Sequence, residues 1–197
     1  MIRTLRGNRI PLPDIRQQRS HTCGPAVLSS VFNYWGCIES EFNLAEELNS
    51  DPIGGTSPDR LQQAAMSRGF ETIWHEDMSD SELISYLDSG RPVIITVQAW
   101  ASTQAELEGD SGHYVIAIDY DSNNVYFEDP ALDDCRGYIP WAELESRWHD
   151  KDKTGKKYDR FGLVIWKNTK PVYESVIQNV ALIRIDDAPF MKEVKQR

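Results

Sequence analysis

The spacing of apolar residues changes near Pro92, and this change constrains the fold more than any other feature of the chain. Before Pro92, apolar residues recur every three or four positions, as they do on amphipathic helices. After it, runs such as 93–98 and 113–120 are rich in β-branched residues and have the length of single strands. Helices followed by a group of strands are typical of α+β proteins. We therefore predict an α+β fold, with N-terminal helices packed on a C-terminal antiparallel sheet.

The helical half of the chain carries start and stop signals. Residues 24–35 have a broad apolar face, with Pro25 in the first turn and Gly36 as the stop. Ser79 and Glu82 can form a capping box ahead of a second apolar face. Further helices are predicted over residues 44–49, from the Ser57 cap and Pro58 to Gly69, from Ser79 to Gly90, and over 141–148.

The second half of the chain is predicted to form the sheet. Residues 113–130 have the pattern of a hairpin that turns at Ser122–Asn124. Other strands are predicted over 93–98 and around 136–140, 161–166 and 179–185, whereas the charged segment 149–160 is predicted to be a loop.

The length and charge of the chain limit what it can be. Residues 1–197 are predicted to form one domain, because a chain of this length can bury a sizeable core. The net charge of −10 argues against nucleic-acid partners, since phosphate binding needs clustered Lys and Arg. No segment approaches the roughly 20 apolar residues of a membrane span. Residues 1–16 lack the apolar region of a signal peptide, so we expect a cytoplasmic protein, with export by a route without a cleavable signal as the alternative.

The three cysteines are Cys23, Cys37 and Cys135. Their odd number and the lack of a C-x-x-C spacing argue against a disulfide framework and against a zinc site. They fit a reducing compartment. We expect no metal and no other cofactor, and the sequence leaves the oligomeric state open.

Cys23 lies where the first predicted helix begins. The macrodipole and the free N–H groups of a helix N-terminus stabilise a thiolate, which is the nucleophilic form of cysteine. Taken alone, however, such a cysteine is more often a small buried residue of the core. A nucleophilic role for Cys23 therefore requires a base elsewhere in the chain.

His113 is the best candidate for this base. It follows Gly112 at the start of a predicted strand, so the sheet would hold the imidazole while the glycine leaves room for a substrate. His21 is two residues from Cys23, and an extended chain would point the two side chains apart. His75 and His149 lie in polar surroundings that are typical of the surface. The alternative for His113 is a structural histidine at a strand end.

Asp129 ends the other arm of the predicted hairpin, where it could orient the imidazole of His113. The alternative is that Asp129 only initiates the turn before Pro130. A tight turn centred on Asn123 would pair Asp129 with residue 117, which leaves His113 about 13 Å further along its strand. A longer turn, a bulge or a strong twist would have to close this gap.

Three segments together resemble the signature of the C39-like cysteine peptidases, a branch of the papain-like fold. They are QQRSHTCGPAVL at 17–28, GHYVIAIDYD at 112–121 and FEDP at 127–130. The resemblance covers about residues 12–166, and residues 167–197 are then a C-terminal extension with a predicted strand. It implies a cysteine peptidase with Cys23 as nucleophile, His113 as general base, Asp129 as the orienting residue and Gln17 in the oxyanion hole. Gln18 is an adjacent rival for the oxyanion role.

The resemblance implies a peptide or protein substrate, with a Gly-Gly-like cleavage site of small residues as one option. Two departures argue against the leader-peptidase role of some family members: the chain has no membrane-spanning exporter segment, and Thr22 replaces the usual acidic residue before the cysteine. Two other functions stay open. One is an amidase, deamidase or acyl transferase that uses the same residues, and the other is a catalytically silent binding module.

Overall fold

A computed structural model describes residues 10–101, 107, 112–133, 135–173 and 181–185. The helices are α1 (Cys23–Tyr34), α2 (Glu41–Glu47), α3 (Pro58–Ser67), α4 (Asp80–Asp88) and α5 (Trp141–Arg147). The strands are β1 (Glu71–His75), β2 (Val93–Gln98), β3 (Gly112–Tyr120), β4 (Asn124–Glu128), β5 (Cys135–Pro140), β6 (His149–Lys151), β7 (Lys157–Asp159), β8 (Gly162–Trp166) and β9 (Ala181–Arg184).

Seven strands form one sheet in the order β1-β8-β2-β3-β4-β5-β9, and β6 and β7 form a separate hairpin. All neighbouring pairs in the large sheet are antiparallel except β5 and β9, which are parallel. The predicted α+β arrangement is confirmed, since the helices α1 to α3 precede a large and mostly antiparallel sheet.

Most predicted helix signals appear in the structure at the expected positions. The Ser79 hydroxyl accepts a hydrogen bond from the Glu82 N–H, and the Glu82 carboxylate accepts one from the Ser79 N–H, as in a capping box. Gly36 has a φ of +83°, which suits a helix stop that a side chain would strain. The second helix begins at Glu41, earlier than predicted, because the Ser40 side chain caps it.

Two groups of strands were not predicted: β1 of the large sheet, and the separate hairpin of β6 and β7. β1 is a five-residue edge strand that pairs with β8, some ninety positions away in sequence, and its half-buried residues give little alternation. The predicted loop at 149–160 is wrong in part, because it contains β6, β7 and the turn between them. The Asp152 carboxylate accepts hydrogen bonds from the N–H groups of Thr154 and Lys156 and so stabilises this turn.

Helix α1 is buried along nearly its whole length, so packing contacts on several sides fix its position. It packs against α2, α3 and β3. At its C-terminal end the Trp35 indole N–H donates to the Ile165 carbonyl of β8 at 3.1 Å. The N-terminus of α1 is thus held at a defined place beside the sheet. Among the described residues, no helix is long and apolar enough to cross a membrane.

Candidate active site

Cys23 is the first residue of α1 and is 9% exposed. The Thr22 hydroxyl is bonded to the backbone of Arg19 and makes no side-chain cap on the helix. The first turn therefore has no side-chain cap, and its positive dipole end favours negative charge. Gly24 lets this end pack closely, because a Cβ there would lie 3.0 Å from the Thr56 Cβ.

His113, at the start of β3, and Asp129, directly after β4, form a buried pair at one end of these two neighbouring strands. The His113 Nε2 lies 2.7 Å from the Asp129 Oδ1, and the two residues are 3% and 0% exposed. The same Asp129 oxygen accepts the N–H of Ala131 at 2.8 Å, which holds the carboxylate in place. Cys23 is close enough to His113 to help raise the pKa of the imidazole. Because Nε2 faces Asp129, the second ring nitrogen, Nδ1, is the one left for the thiol.

A β-bulge in β3 brings these two residues to the same face of the sheet. Near the turn, Tyr120 pairs with Val125 and Asp119 with Tyr126, a register that would set residue 129 opposite residue 116. The register shifts between Ala117 and Asp119, so that Glu128 pairs with Ile116. Position 129 then falls opposite position 115, which shares a face with His113. The observed turn and the extra residue together reduce the offset between His113 and the position opposite Asp129 from four residues to two, and the two side chains span the rest.

The electrostatic environment favours a protonated imidazole. Burial by itself would lower the pKa of His113, but the negative charge of Asp129, its hydrogen bond and the contact with Cys23 raise the pKa to about 10. The arrangement therefore suits an imidazolium that lies between Cys23 and the Asp129 carboxylate.

The two adjacent glutamines lie in different environments. Gln17 is 5% exposed, and its amide nitrogen donates to the Arg19 carbonyl at 2.8 Å, on the chain that leads into α1. Gln18 is exposed, and its side chain turns back to the Arg16 carbonyl. The Gln17 N–H donates to the Pro130 carbonyl at 3.0 Å, so the segment with Gln17 is fastened directly beside Asp129.

A buried arginine holds the segment that precedes Gln17. Arg136 of β5 donates to the Leu12 carbonyl at 3.1 Å and lies 2.6 Å from the Glu128 carboxylate and 3.5 Å from that of Asp14. Burial, against the attraction of Arg136, raises the pKa of Glu128 well above its ordinary value. This cluster ties the N-terminal segment to β4 and β5, and therefore to the strand end that carries Asp129.

A cleft of about 590 Å³ opens beside Cys23. Its floor includes Cys23, Gly112 and Tyr114, one wall is the loop 52–55, and the other wall is the β6–β7 hairpin at 150–153. The Tyr114 hydroxyl donates to the Thr56 carbonyl at 2.9 Å and so joins the floor to the first wall.

An ion pair bridges the two walls of the cleft. The Asp51 carboxylate accepts the N–H groups of Ile53 and Gly54 at 3.0 and 2.6 Å, and lies 3.2 Å from the Lys153 Nζ of the hairpin. Ile53 is 90% exposed at the rim. On the floor, a Cβ at Gly112 would overlap the Asp150 carboxylate, so only glycine fits next to His113 without a shift.

Sequence reasoning did not find every residue at the site. Trp100 lines the cleft, and its ring centroid lies 4.8 Å from that of His113. Asp150 and Tyr158 of the β6–β7 hairpin line the cleft too, although their segment was predicted to be a loop. A short polar hairpin carries no apolar alternation that could have revealed them.

The remaining histidines and cysteines lie in different surroundings. Burial, and then the charges of Asp14 and Asp129, raise the pKa of the Cys135 thiol. The His21 side chain lines the cleft near Cys23. His75 is half-buried against the Tyr86 hydroxyl at 2.9 Å, and His149 contacts the Ser146 carbonyl at 3.1 Å. All three cysteines are free. Within the described ranges, no three His, Cys, Asp or Glu side chains gather as they would around a metal ion.

The helix-first order, the mostly antiparallel sheet and the cysteine that lies near a histidine at the start of β3 define a C39-like peptidase fold. Residues 10–156 match the Peptidase_C39 like family, and the chain belongs to this family. Uncharacterized proteins of Methanothermobacter thermautotrophicus and Methanothermobacter marburgensis are each 30% identical over 118 residues, which cover 60% of this chain and 71% of theirs.

Solved structures of C39-like domains share the fold. A putative C39-like peptidase from Bacillus anthracis has a TM-score of 0.63 at 20% identity and covers 80% of this chain and 96% of its own. The peptidase domain of Streptococcus ComA, a bifunctional ABC transporter, has a TM-score of 0.56 at 24% identity and covers 79% and 97%. A double glycine motif protease from an AMS/PCAT transporter, in complex with its leader peptide, has a TM-score of 0.56 at 19% identity and covers 87% and 100%.

Proposed function

We propose that this chain is a cysteine peptidase that cleaves a peptide or isopeptide bond through a thioester on Cys23. The observation that carries the proposal is the buried, hydrogen-bonded His113–Asp129 pair beside Cys23, which lies at a helix N-terminus and lines an open cleft. A buried structural cysteine has no need of an oriented imidazole at its sulfur.

In the first step, His113 takes the proton of the Cys23 thiol, and the thiolate attacks the carbonyl carbon of the scissile amide. The developing oxyanion accepts hydrogen bonds from the Cys23 N–H and from the amide of Gln17. The buried position of Gln17, next to the chain that enters α1, supports this role over the exposed Gln18. Asp129 keeps the imidazole oriented and stabilises its positive charge.

The tetrahedral intermediate then collapses. The C–N bond breaks, and His113 gives its proton to the departing amine, which leaves a thioester between Cys23 and the acyl part of the substrate. A water molecule, deprotonated by His113, attacks the thioester and releases a carboxylic acid and the free thiol. No step calls for a group beyond these side chains.

The cleft supports a peptide with small residues next to the scissile bond as the substrate. Its floor narrows where the Asp150 carboxylate lies against Gly112, and the Asp51–Lys153 ion pair spans its rim. The leader-peptide complex of the double glycine motif protease, which has the same fold, is consistent with this substrate class. Bulky side chains would have to displace one of these two features.

A peptide library read by mass spectrometry tests the proposal. We expect backbone cleavage by the unaltered protein, a mass increase on Cys23 when its sulfur displaces chloride from a peptide chloromethyl ketone and forms a thioether, and loss of both in Cys23→Ala and His113→Ala. Cys37→Ala is the matched control, because it removes a free thiol away from the His113–Asp129 pair.

Three outcomes would contradict the proposal in different ways. Deamidated or acyl-transferred products without backbone cleavage would indicate an amidase, deamidase or acyl transferase that uses the same thioester. Binding of a peptide with no product and no trapped Cys23 would indicate a binding module. Cleavage that survives Cys23→Ala would exclude Cys23 as the nucleophile.

A further inference from the structure

The segment that follows β2 places an indole against the His113 ring. The ring centroids of Trp100 and His113 lie 4.8 Å apart with an angle of 49° between the planes, and Trp100 is 9% exposed. The backbone of Trp100 has a φ of +57°, a left-handed conformation that bulky residues rarely adopt. Such a conformation persists only when the surrounding structure imposes it.

Arg147, near the end of α5, imposes it. Its guanidinium donates to the Gln98 carbonyl and to the Ala101 carbonyl, both at 3.0 Å, and these two groups flank Trp100 on either side. Arg147 is 7% exposed, and its Nε lies 3.7 Å from the Glu143 carboxylate one turn earlier on the same helix. The planar guanidinium of an arginine has several N–H donors and can bind two carbonyls at once. A lysine ammonium on its flexible side chain does this poorly.

We propose that Arg147 is a positioning residue that acts through the Trp100 turn: it holds the indole against His113 and thereby keeps the imidazole aimed at Cys23. This inference rests on the proposed function of Cys23 and His113. The chain of contacts runs from α5 through two carbonyls and one ring to the base, and it involves neither Asp129 nor Gln17 directly.

The indole also limits the access of water to the pair behind it. Within a dry site the Asp129 carboxylate acts on the imidazolium with little screening. If the Trp100 turn loosens, water reaches the His113 imidazole. It then weakens both the effect of burial on His113 and the attraction between Asp129 and the imidazolium. The pKa of His113 therefore moves from about 10 back toward its ordinary value. The charged groups that act on His113 are Asp129 and Cys23.

The test measures the rate at which iodoacetamide alkylates Cys23 between pH 6 and pH 10.5, with each cysteine resolved by peptide mapping. We compare the unaltered protein with Arg147→Lys, Trp100→Leu and Trp100→Phe. At pH 6.5 we expect Arg147→Lys and Trp100→Leu to lower the rate by about tenfold or more, because misplacing a catalytic group by about 1 Å can cost about 100-fold. At pH 10.5 the rates should converge, since a thiol then ionises without help. Trp100→Phe keeps an aromatic face and should largely restore the rate.

Arg60→Lys is the matched control. Arg60 donates to the carbonyls of Leu48 and Asn49, and Asn49 also has a positive φ, but this turn carries no ring that contacts His113. In Arg60→Lys, the rate of Cys23 alkylation should equal that of the unaltered protein at every pH. Rates at pH 6.5 that are unchanged in both Arg147→Lys and Trp100→Leu would overturn the positioning role, whereas an unchanged rate in His113→Ala would overturn the proposed function itself. If Arg147→Lys does not fold, the Trp100→Leu and Trp100→Phe pair decides the question.

Discussion

The Asp129 carboxylate reaches the imidazole of His113, at 2.7 Å, because β3 contains one residue more than its partner strand between positions 117 and 119. Without that bulge, position 129 would pair with position 116, whose side chain lies on the opposite face of β3 from that of His113. A single extra residue in a strand therefore decides whether the orienting carboxylate and the base can meet. The first prediction concerns what this carboxylate does to the imidazole.

Replacing Asp129 by Asn removes the charge and keeps an oxygen at the same place. Because the negative charge of Asp129 raises the pKa of His113, its loss should lower that pKa from about 10. The alkaline limb of the pH–rate profile, which reports deprotonation of the imidazolium, should move to lower pH. Peptide cleavage measured between pH 6 and pH 11 checks this. Asp133→Asn, which only removes an exposed partner of Arg16, should leave the limb in place.

The adjacent glutamines offer an internal comparison. Gln17→Ala should lower kcat by about 100-fold to 1,000-fold with little change in KM, because one oxyanion donor is typically worth about 3 kcal/mol in the transition state. Gln18→Ala should be close to the unaltered protein, since this side chain is exposed. Steady-state kinetics on one peptide measure both. Equal losses in the two variants would mean that the segment matters for folding and not for the oxyanion.

The effects of substitutions at Gly112 and Asp150 on stability and cleavage should depend strongly on each other. A Cβ at Gly112 overlaps the Asp150 carboxylate, so Gly112→Ala should destabilise the fold by about 1–3 kcal/mol, as overpacking does, and should reduce cleavage by shifting His113 next to it. Adding Asp150→Ala should recover most of the loss. A double-mutant cycle that combines urea unfolding with cleavage rates tests this dependence, and strict additivity would argue against it.

The Asp51–Lys153 bridge should influence the size of the accepted substrate. Lys153→Ala removes the ion pair across the rim, so peptides with larger residues next to the scissile bond should be cleaved relatively faster, with kcat for small-residue peptides unchanged. The global stability should hardly change, because exposed ion pairs contribute little. Lys156→Ala, which removes a pair with Glu76 from the same hairpin, is the control.

Folding stability should depend on pH through His113. Its pKa is about 10 in the folded protein and 6.5 in its ordinary state, so the folded protein holds a proton that the unfolded chain releases between these values. The stabilising contribution is therefore complete below pH 6.5 and is lost as the pH rises through 10. Urea unfolding across this window should show a decline that His113→Gln flattens.

Local patterns predicted much of the fold. The helical periodicity before Pro92, the Ser79–Glu82 capping box and the β-branched runs place α1, α4, β2, β3 and β4 close to their observed positions. These features depend on neighbours a few residues apart, so the sequence displays them directly. The chemistry of the site is local in the same sense: a cysteine precedes Gly-Pro at a helix start, a histidine follows a glycine at a strand start, and an aspartate precedes a proline.

Other features depend on contacts between distant parts of the chain. β1 finds its partner in β8, β9 pairs in parallel with β5, and the hairpin of β6 and β7 becomes a wall of the cleft. Their segments are short, polar or half-buried, so they show no periodicity of their own. The Trp100 indole beside His113 depends on an arginine that lies 47 positions away, and no spacing reveals such a contact.

The sequence by itself determined the chemical groups of this protein: a thiol at a helix N-terminus, one imidazole at a strand end and a carboxylate in the next strand. Only the tertiary structure decided that they meet. The bulge in β3, the burial that makes Asp129 act strongly on His113, and the burial of Gln17 next to an exposed Gln18 all arise from packing. The reason is that a side chain's identity is carried by one position, whereas its direction and its dielectric surroundings are set by the elements that pack around it.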